Sequence, residues 1–287
     1  MSRHLRYLKF ACFLLFLPLF LGGTASSAPY YRELPSYLLK DLATGDILIA
    51  HDIHLRHPPA SITKVMTAVL AIENGNLDDI VTVSRNAIKV RGHRLLISEG
   101  EQIEFGKLLM ATIINSGNDG SRAIAEHIGG SIEGFADMMN AKAIELGMEE
   151  THFVNPSGMP DDDHYSSAYD LGILAAYAMQ FEFFRTAAST KKIFFPTFGM
   201  REDVIFESTN RLLDDYPLCN GVKTGYTNTA KYCLAASASY KNNHLLAVVL
   251  GAEKNCQWPA AEELLEWGFS QLDPEYSIYA EFINSDF

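Results

Sequence analysis

Pro58-Pro59-Ala60-Ser61-Ile62-Thr63-Lys64-Val65-Met66-Thr67-Ala68-Val69-Leu70 governs how the remainder of the chain is understood. The two prolines halt whatever precedes them and suit the entry to a helix. Ile62, Val65, Met66, Val69 and Leu70 recur at helical spacing, which predicts a helix with one buried face. Ser61 falls in its first turn and Lys64 one turn further along the same side, so a hydroxyl and an amine stack as nucleophile and base. Taken alone, the pattern is equally an N-cap serine followed by a surface lysine. A second Ser-x-x-Lys, Ser189-Thr190-Lys191-Lys192, runs into the strand-like Ile193-Phe194-Phe195-Pro196 and cannot hold its pair on one helical face. Ser61 and Lys64 need partners elsewhere in the chain.

Just upstream, Ser36 to Asp41 and Ile47 to His51 are apolar runs joined across Ala43-Thr44-Gly45-Asp46, a hairpin pattern. Downstream, Leu77 to Ser84 reads as a turn and a short strand. Helical text follows over Phe105 to Ile114, Ser121 to Ile128, Ile132 to Leu146, Ser166 to Tyr177 and Gln180 to Ala188, broken at Asn115-Ser116-Gly117-Asn118 and Gly129-Gly130. Thr151 to Gly158 has the composition of an ordered loop. The period then changes: Ile193 to Phe198, Val204 to Glu207, Val222 to Gly225, Tyr232 to Ser239 and Leu245 to Ala252 read as strands, and Pro259 to Leu272 as a closing amphipathic helix. Strands at both ends with helices between predict an α+β fold. Its antiparallel sheet is built from both chain ends with flanking helices, around an inserted all-helical lobe. The expected boundaries are a sheet lobe over about 29–75 and 190–287 and a helical lobe over about 76–189.

At 287 residues, 48% hydrophobic and 20% charged, the chain can bury a substantial core. Arg3, Arg6 and Lys9, the apolar run Phe10 to Leu21 and the small residues Gly22 to Ala28 match a secretory signal peptide, residues 1–28. The apolar run is too short for a comfortable membrane span. The expected location is therefore across the inner membrane, in the periplasm or cell envelope. A formal net charge of −12 excludes a nucleic-acid binder and disfavours adsorption to anionic lipid. Beyond Cys12, in the signal, Cys219, Cys233 and Cys256 are an odd number, so no complete disulfide framework is expected. A hairpin turning near Asn228-Thr229 pairs Cys219 with a residue near Ser239, which argues against a Cys219–Cys233 bridge and for buried free thiols. His51, His54 and His57 straddle a strand end and a loop with no matching acidic ligand, so no metal and no cofactor is expected.

Three short motifs lie in the order Ser61-x-x-Lys64, Ser116-Gly117-Asn118 and Lys223-Thr224-Gly225. Such a trio, with a Ser-Asp-Asn form of the middle member, marks β-lactamases and penicillin-binding proteins. A rival trio, Ser189/Lys192 with Ser208-Thr209-Asn210, is compressed and has no helix for its first member. Ser61 at a helix N-terminus suits developing negative charge. Lys64 acts as a base only if neutral, and burial beside the second cation Lys223 lowers its pKa. Ser116 and Asn118, at a break between helices, can project into a cleft, the hydroxyl to relay a proton and the amide to hold a peptide group. Gly225 leaves room for an extended substrate along its strand, while Lys223 and Thr224 offer a cation and a hydroxyl to a carboxylate.

With these residues the sequence resembles the low-molecular-mass penicillin-binding proteins, the serine D-alanyl-D-alanine carboxypeptidases of peptidase family S11. The resemblance extends through Met139-Asn140, Leu146-Gly147-Met148, Thr151 to Gly158, Gly221 to Thr227 and Leu264 to Phe269, and covers roughly Leu38 to Leu272. It implies a β-lactamase/transpeptidase-like fold. It implies that Ser61 is acylated by the penultimate D-alanine carbonyl of a peptidoglycan stem peptide ending in D-Ala-D-Ala. Lys64 is then the base, Ser116 the proton relay and Asn118 the group that orients the peptide. Lys223 and Thr224 would hold the terminal carboxylate, and the N–H groups of Ser61 and Tyr226 the oxyanion. β-Lactam antibiotics are the implied inhibitors.

This chain departs from the family's pattern in three places. Lys231 stands in the segment Ala230-Lys231-Tyr232, where a glycine is usual. By register, Gln257 or Trp258 occupies the place of an arginine that assists carboxylate binding. The acidic stretch Asp273 to Phe287 shows no C-terminal membrane anchor. A β-lactamase needs a Glu-x-x-Leu-Asn loop to position its hydrolytic water; nothing between Ala123 and Tyr177 reads so, and slow deacylation is expected. The alternatives are a D,D-endopeptidase cutting peptidoglycan crosslinks and a catalytically idle penicillin-fold binding module, against which the intact Ser61, Lys64, Ser116 and Lys223 argue.

Overall fold

The computed structural model describes residues 30–276; the predicted signal segment and residues 277–287 lie outside the described residues. Five antiparallel strands form the main sheet: β1 (Ser36–Asp41), β2 (Ile47–His51), β7 (Cys219–Thr227), β8 (Lys231–Tyr240) and β9 (Asn243–Ala252), in the order β2-β1-β9-β8-β7. The two ends of the chain meet where Leu38 faces Val248 and Leu39 faces Ala247. Side chains alternate across the sheet, so Leu38, Leu246, Val248 and Leu250 enter one core while Leu39, Leu245, Ala247 and Val249 enter the other. The first core is shared with α1 (Lys64–Asn74), α2 (Phe105–Asn115), α3 (Asn118–Gly129), α4 (Ile132–Glu145), α5 (Ala168–Ala178) and α6 (Glu182–Ser189). The second lies under α8 (Gln257–Leu272). Each fully buried leucine or valine contributes about 1.5–3 kcal/mol relative to exposure, so a one-residue slip of β9 would lose both cores at once.

Two small hairpins complete the fold: β3 (Ile80–Thr82) with β4 (Gln102–Glu104), and β5 (Lys192–Phe198) with β6 (Arg201–Glu207), the latter followed by the short α7 (Leu212–Asp215). β4 carries one apolar residue in three and gave no strand signal; its partner supplies the reason for it. Pro196 lies inside β5, which a two-stranded hairpin tolerates because a missing N–H can face away from the partner. α8 starts two residues before Pro259, whose lack of an N–H matters little in a first turn.

Cys219 pairs in register with Ala238, one residue from the expected position, because the ladder bulges between Cys219 and Gly221. Cys219, Cys233 and Cys256 are free, and only Cys233 is buried; the other two are half-buried, which corrects the expectation of three buried thiols. The three closely spaced histidines go separate ways: His51 stacks on Tyr37, His54 pairs with Glu150, and a ring nitrogen of His57 lies 2.9 Å from Pro58 O.

Candidate active site

The Ser61 turn sits between two glycines. The expected helix begins as a 3-10 turn over Ala60–Thr63, and α1 proper starts at Lys64. Ala60 holds φ +48°, a left-handed conformation that a β-carbon resists. A β-carbon on Gly158 would lie 1.8 Å from Ala60 O, and one on Gly225 would lie 2.9 Å from Pro59 O and 3.1 Å from Ser61 N. Gly225 was expected to make room for substrate. Its bare face first makes room for the nucleophile turn itself, and brings the Ser61 amide alongside β7 next to Tyr226.

Lys64 is buried, and its Nζ lies 2.9 Å from Ser61 Oγ, 2.7 Å from Asn118 Oδ1 and 2.8 Å from Ser157 O. The last two can only accept. A neutral amine therefore spends its two hydrogens on them and turns its lone pair to the one partner with a proton to give, the Ser61 hydroxyl. Burial, and then the Lys223 cation, hold the Lys64 pKa well below the usual lysine range, with Asp119 pulling the other way.

The break between α2 and α3 supplies the middle motif. Ser116 ends α2 at φ +65° and lines a cavity of about 360 Å³ together with Ser61. Asn118 already has partners there. Its Oδ1 holds Lys64, and its Nδ2 donates to Arg91 O at 2.7 Å and lies 3.4 Å from Met159 Sδ. The helix start at Asn118 thus aims its side-chain oxygen at the lysine.

On the third motif, Lys223 is buried, its Nζ donates to Thr224 O at 3.1 Å, and burial lowers its pKa to about 7. Thr224, Gly225 and Tyr226 line the cavity, and Thr224 Oγ1 pairs with Thr209 Oγ1 at 2.6 Å. The rival trio does not assemble: Ser189 Oγ donates to Arg185 O, and Lys192 pairs with Glu207. A larger cavity of about 490 Å³ lies at the other end of β7 and β8, where Ser237, Asn220, Ser239 and His244 are bonded to one another in sequence.

The profile of the S11 peptidases, described as D-alanyl-D-alanine carboxypeptidase, matches residues 24–254. The chain belongs to this family. Among curated relatives, D-alanyl-D-alanine carboxypeptidase DacF of Bacillus subtilis is 39% identical over 255 residues, 84% of this chain and 64% of that one. DacD of Escherichia coli is 34% identical over 86% of this chain and 67% of its own. This chain thus spans about two thirds of the length of those relatives. The crystal structure of a D-alanyl-D-alanine carboxypeptidase DacD from Francisella tularensis superposes with a TM-score of 0.77 at 27% identity, covering 83% of this chain and 70% of that one. That of a Streptomyces DD-transpeptidase superposes at 0.78 with 28% identity, covering 83% and 97%.

Beyond the S11 motifs, sequence reasoning missed the groups that hold the site together. Asp119 accepts from the N–H groups of Leu95, Leu96 and Ile97 at 2.7, 2.9 and 3.3 Å, pinning the loop that ends at Asn118's partner Arg91. Asn155 Oδ1 accepts from Ser157 N, Ser157 Oγ, Gly158 N and Met159 N, fixing the loop whose carbonyls take Lys64 and Thr67. His164, buried, accepts Val154 N–H at Nδ1 and meets Thr63 Oγ1 at 2.9 Å through Nε2; burial lowers its pKa to about 4, so it works as a neutral ring. Asn210 Nδ2 donates to Gly221 O and braces β7. Asp119, next to Ser116-Gly117-Asn118, and Asn155, in the turn-forming Asn-Pro-Ser-Gly, left a trace in the sequence; their partners did not. Of the S11 departures, Lys231 has φ +56°, which explains a usual glycine there, and both Gln257 and Trp258 line the cavity.

Proposed function

We propose that this chain is a serine D,D-carboxypeptidase that removes the terminal D-alanine from peptidoglycan stem peptides through an acyl-enzyme on Ser61. The observation that carries the reading is the Lys64 amine, held by two pure acceptors so that its lone pair meets the Ser61 proton. Lys64 takes that proton as Ser61 Oγ attacks the penultimate D-alanine carbonyl. The Ser61 and Tyr226 N–H groups receive the oxyanion. Ser116 relays the proton to the nitrogen of the departing D-alanine, and water then releases the acyl group. Lys223 and Thr224 hold the terminal carboxylate. Asn118 fixes Lys64 through its side-chain oxygen and orients the bound peptide with its amide.

β-Lactams would acylate Ser61 by the same route. Among the described residues that line the cavity none is a carboxylate placed to activate a hydrolytic water, which supports a long-lived adduct. The basic, apolar and small-residue start of the sequence supports export to the envelope, where such a substrate is found. Labelled penicillin should attach to the peptide containing Ser61 and not attach to the Ser61→Ala variant; attachment elsewhere, or none, would overturn the assignment.

A further inference from the structure

Residues 83–101 run from β3 to β4 without helix or strand. A structureless connection longer than about 12–15 residues inside a compact domain is generally functional. This one is firmly held. Ala87, Leu95 and Ile97 are buried, and Asp119 accepts from the amides of Leu95, Leu96 and Ile97. Asn118 donates twice, from Nδ2 to Arg91 O and from its backbone N–H to His93 O at 2.8 Å. Gly92 and His93 thereby line the catalytic cavity with Ser61 and Ser116.

The loop also concentrates charge of one sign. Arg85, Lys89, Arg91 and Arg94 fall within ten residues that contain no aspartate or glutamate, in a chain whose formal net charge is −12. All four are exposed, and none forms an ion pair or a side-chain hydrogen bond with a described residue. The acids that touch the loop are bonded elsewhere: Glu126 accepts from Ser84 Oγ and Asn86 Nδ2, and Glu101 from Ser98 N and Met200 N. A run of like charge is ordinarily no more than a solvated surface. Here Arg91 and Arg94 bracket the two residues that line the cavity, and unpaired cations at the mouth of a cleft focus their field into it.

Resting on the proposed carboxypeptidase activity, we propose that Arg91 and Arg94 form a cationic rim that recognises carboxylates in the acyl part of the substrate, N-terminal to D-Ala-D-Ala, so that the site selects acidic peptides. The terminal carboxylate is taken by Lys223 and Thr224, and the remainder of the peptide then lies toward the other lining residues, Gly92, His93 and Ser116. A side-chain carboxylate there meets guanidinium forks whose donors have no other partner, which is the geometry a carboxylate binds best.

The test compares kcat/KM for two peptides ending in D-Ala-D-Ala that differ only in a glutamate or a glutamine two residues before that dipeptide. A ratio of two substrates on one preparation cancels any inactive fraction, so a poorly folding variant still reports. At low salt the wild type is expected to prefer the acidic peptide about three- to tenfold, the size that two exposed ion pairs give. The preference should shrink toward one as ionic strength rises to about 0.5 M, where screening acts within a few ångströms. Arg91→Gln/Arg94→Gln should bring the low-salt ratio to about one and Arg91→Glu/Arg94→Glu should invert it; both leave Arg91 O in place for Asn118. Equal turnover of the two peptides by the wild type, or a preference that charge reversal leaves unmoved, would overturn the proposal while the carboxypeptidase activity stands. So would loss of adsorption to polyphosphate in the reversed variant with an unchanged peptide ratio, which would give the rim to a phosphate polymer. Turnover of neither peptide by the wild type would bring down the carboxypeptidase activity and the proposal with it.

Discussion

The two walls of the cavity are built on opposite plans. On the Ser61 wall the polar groups partner one another: Lys64 with Ser61, Asn118 and Ser157, Thr67 with Pro156, Thr63 with His164, and Asn155 with its own loop. On the facing wall, Gln257 Oε1 receives no hydrogen bond from any described residue, Tyr226 is 51% exposed, and burial lowers the Lys223 pKa to about 7. The difference separates two jobs. Groups that move a proton must be in place before a ligand arrives, because reorganising them during the reaction would add to the barrier. Groups that recognise a ligand must be left with bonding capacity to give it.

If that division is right, the largest effect belongs to Lys64→Met. Removing the base should lower the second-order rate of penicillin acylation by about 10²–10⁴-fold. In the wild type the reactive form of Lys64 is the neutral one, populated above its pKa. Since that pKa is depressed, the rate should climb with pH and level off before the ordinary lysine range. The methionine variant should lack that limb; a rate within a few-fold of wild type would break the contrast at its strongest point.

Next comes Asn155→Ala, which touches neither Ser61 nor Lys64. It removes the acceptor of four bonds and frees the loop carrying Ser157 O, and a displacement of about 1 Å at the base can cost about 10²-fold. Looser packing admits water to Lys64, so the rising limb of the pH profile should move to higher pH. A loss of thermal stability with no such movement would mean that the loop only supports the fold.

The same contrast explains what the sequence disclosed. Ser61 and Lys64 are three residues apart on one helical turn, and β9 alternates its apolar side chains across two cores; each is a periodic signal within a short window. The motifs on β7 and at the α2–α3 break were legible as residue types in order. Which acceptor each would meet was not. Asn118 was legible as an amide at a helix break, yet whether it faced substrate or lysine depends on Arg91 O and Met159, far along the chain. Thr63 and His164 are separated by 101 positions and Asp119 from Leu95 by 24, and bonds between a side chain and a distant partner leave no period to detect. Ala60 at φ +48° carries no local sign, since alanine does not advertise that conformation as glycine would.

The smallest expected effect tests the facing wall through stability. Lys223 titrates at about 7 in the fold, against about 10.4 for a free lysine. Between those values the unfolded chain carries a proton that the folded one does not. Stability therefore falls as pH drops from about 10 to 7, and below 7 both states are protonated and the contribution stays constant. Lys223→Met removes this term. Its melting temperature should match the wild type most closely near pH 10, exceed it by a widening margin down to pH 7, and hold that margin below. Turnover of a D-Ala-D-Ala peptide should fall in the same variant, through KM more than kcat, because the lost group grips the ligand and does not move the proton. A gap that stayed constant from pH 10 to 7 would mean that Lys223 is charged in the fold. The facing wall would then hold a permanent cation, and its contrast with the Ser61 wall would be one of sign instead of readiness.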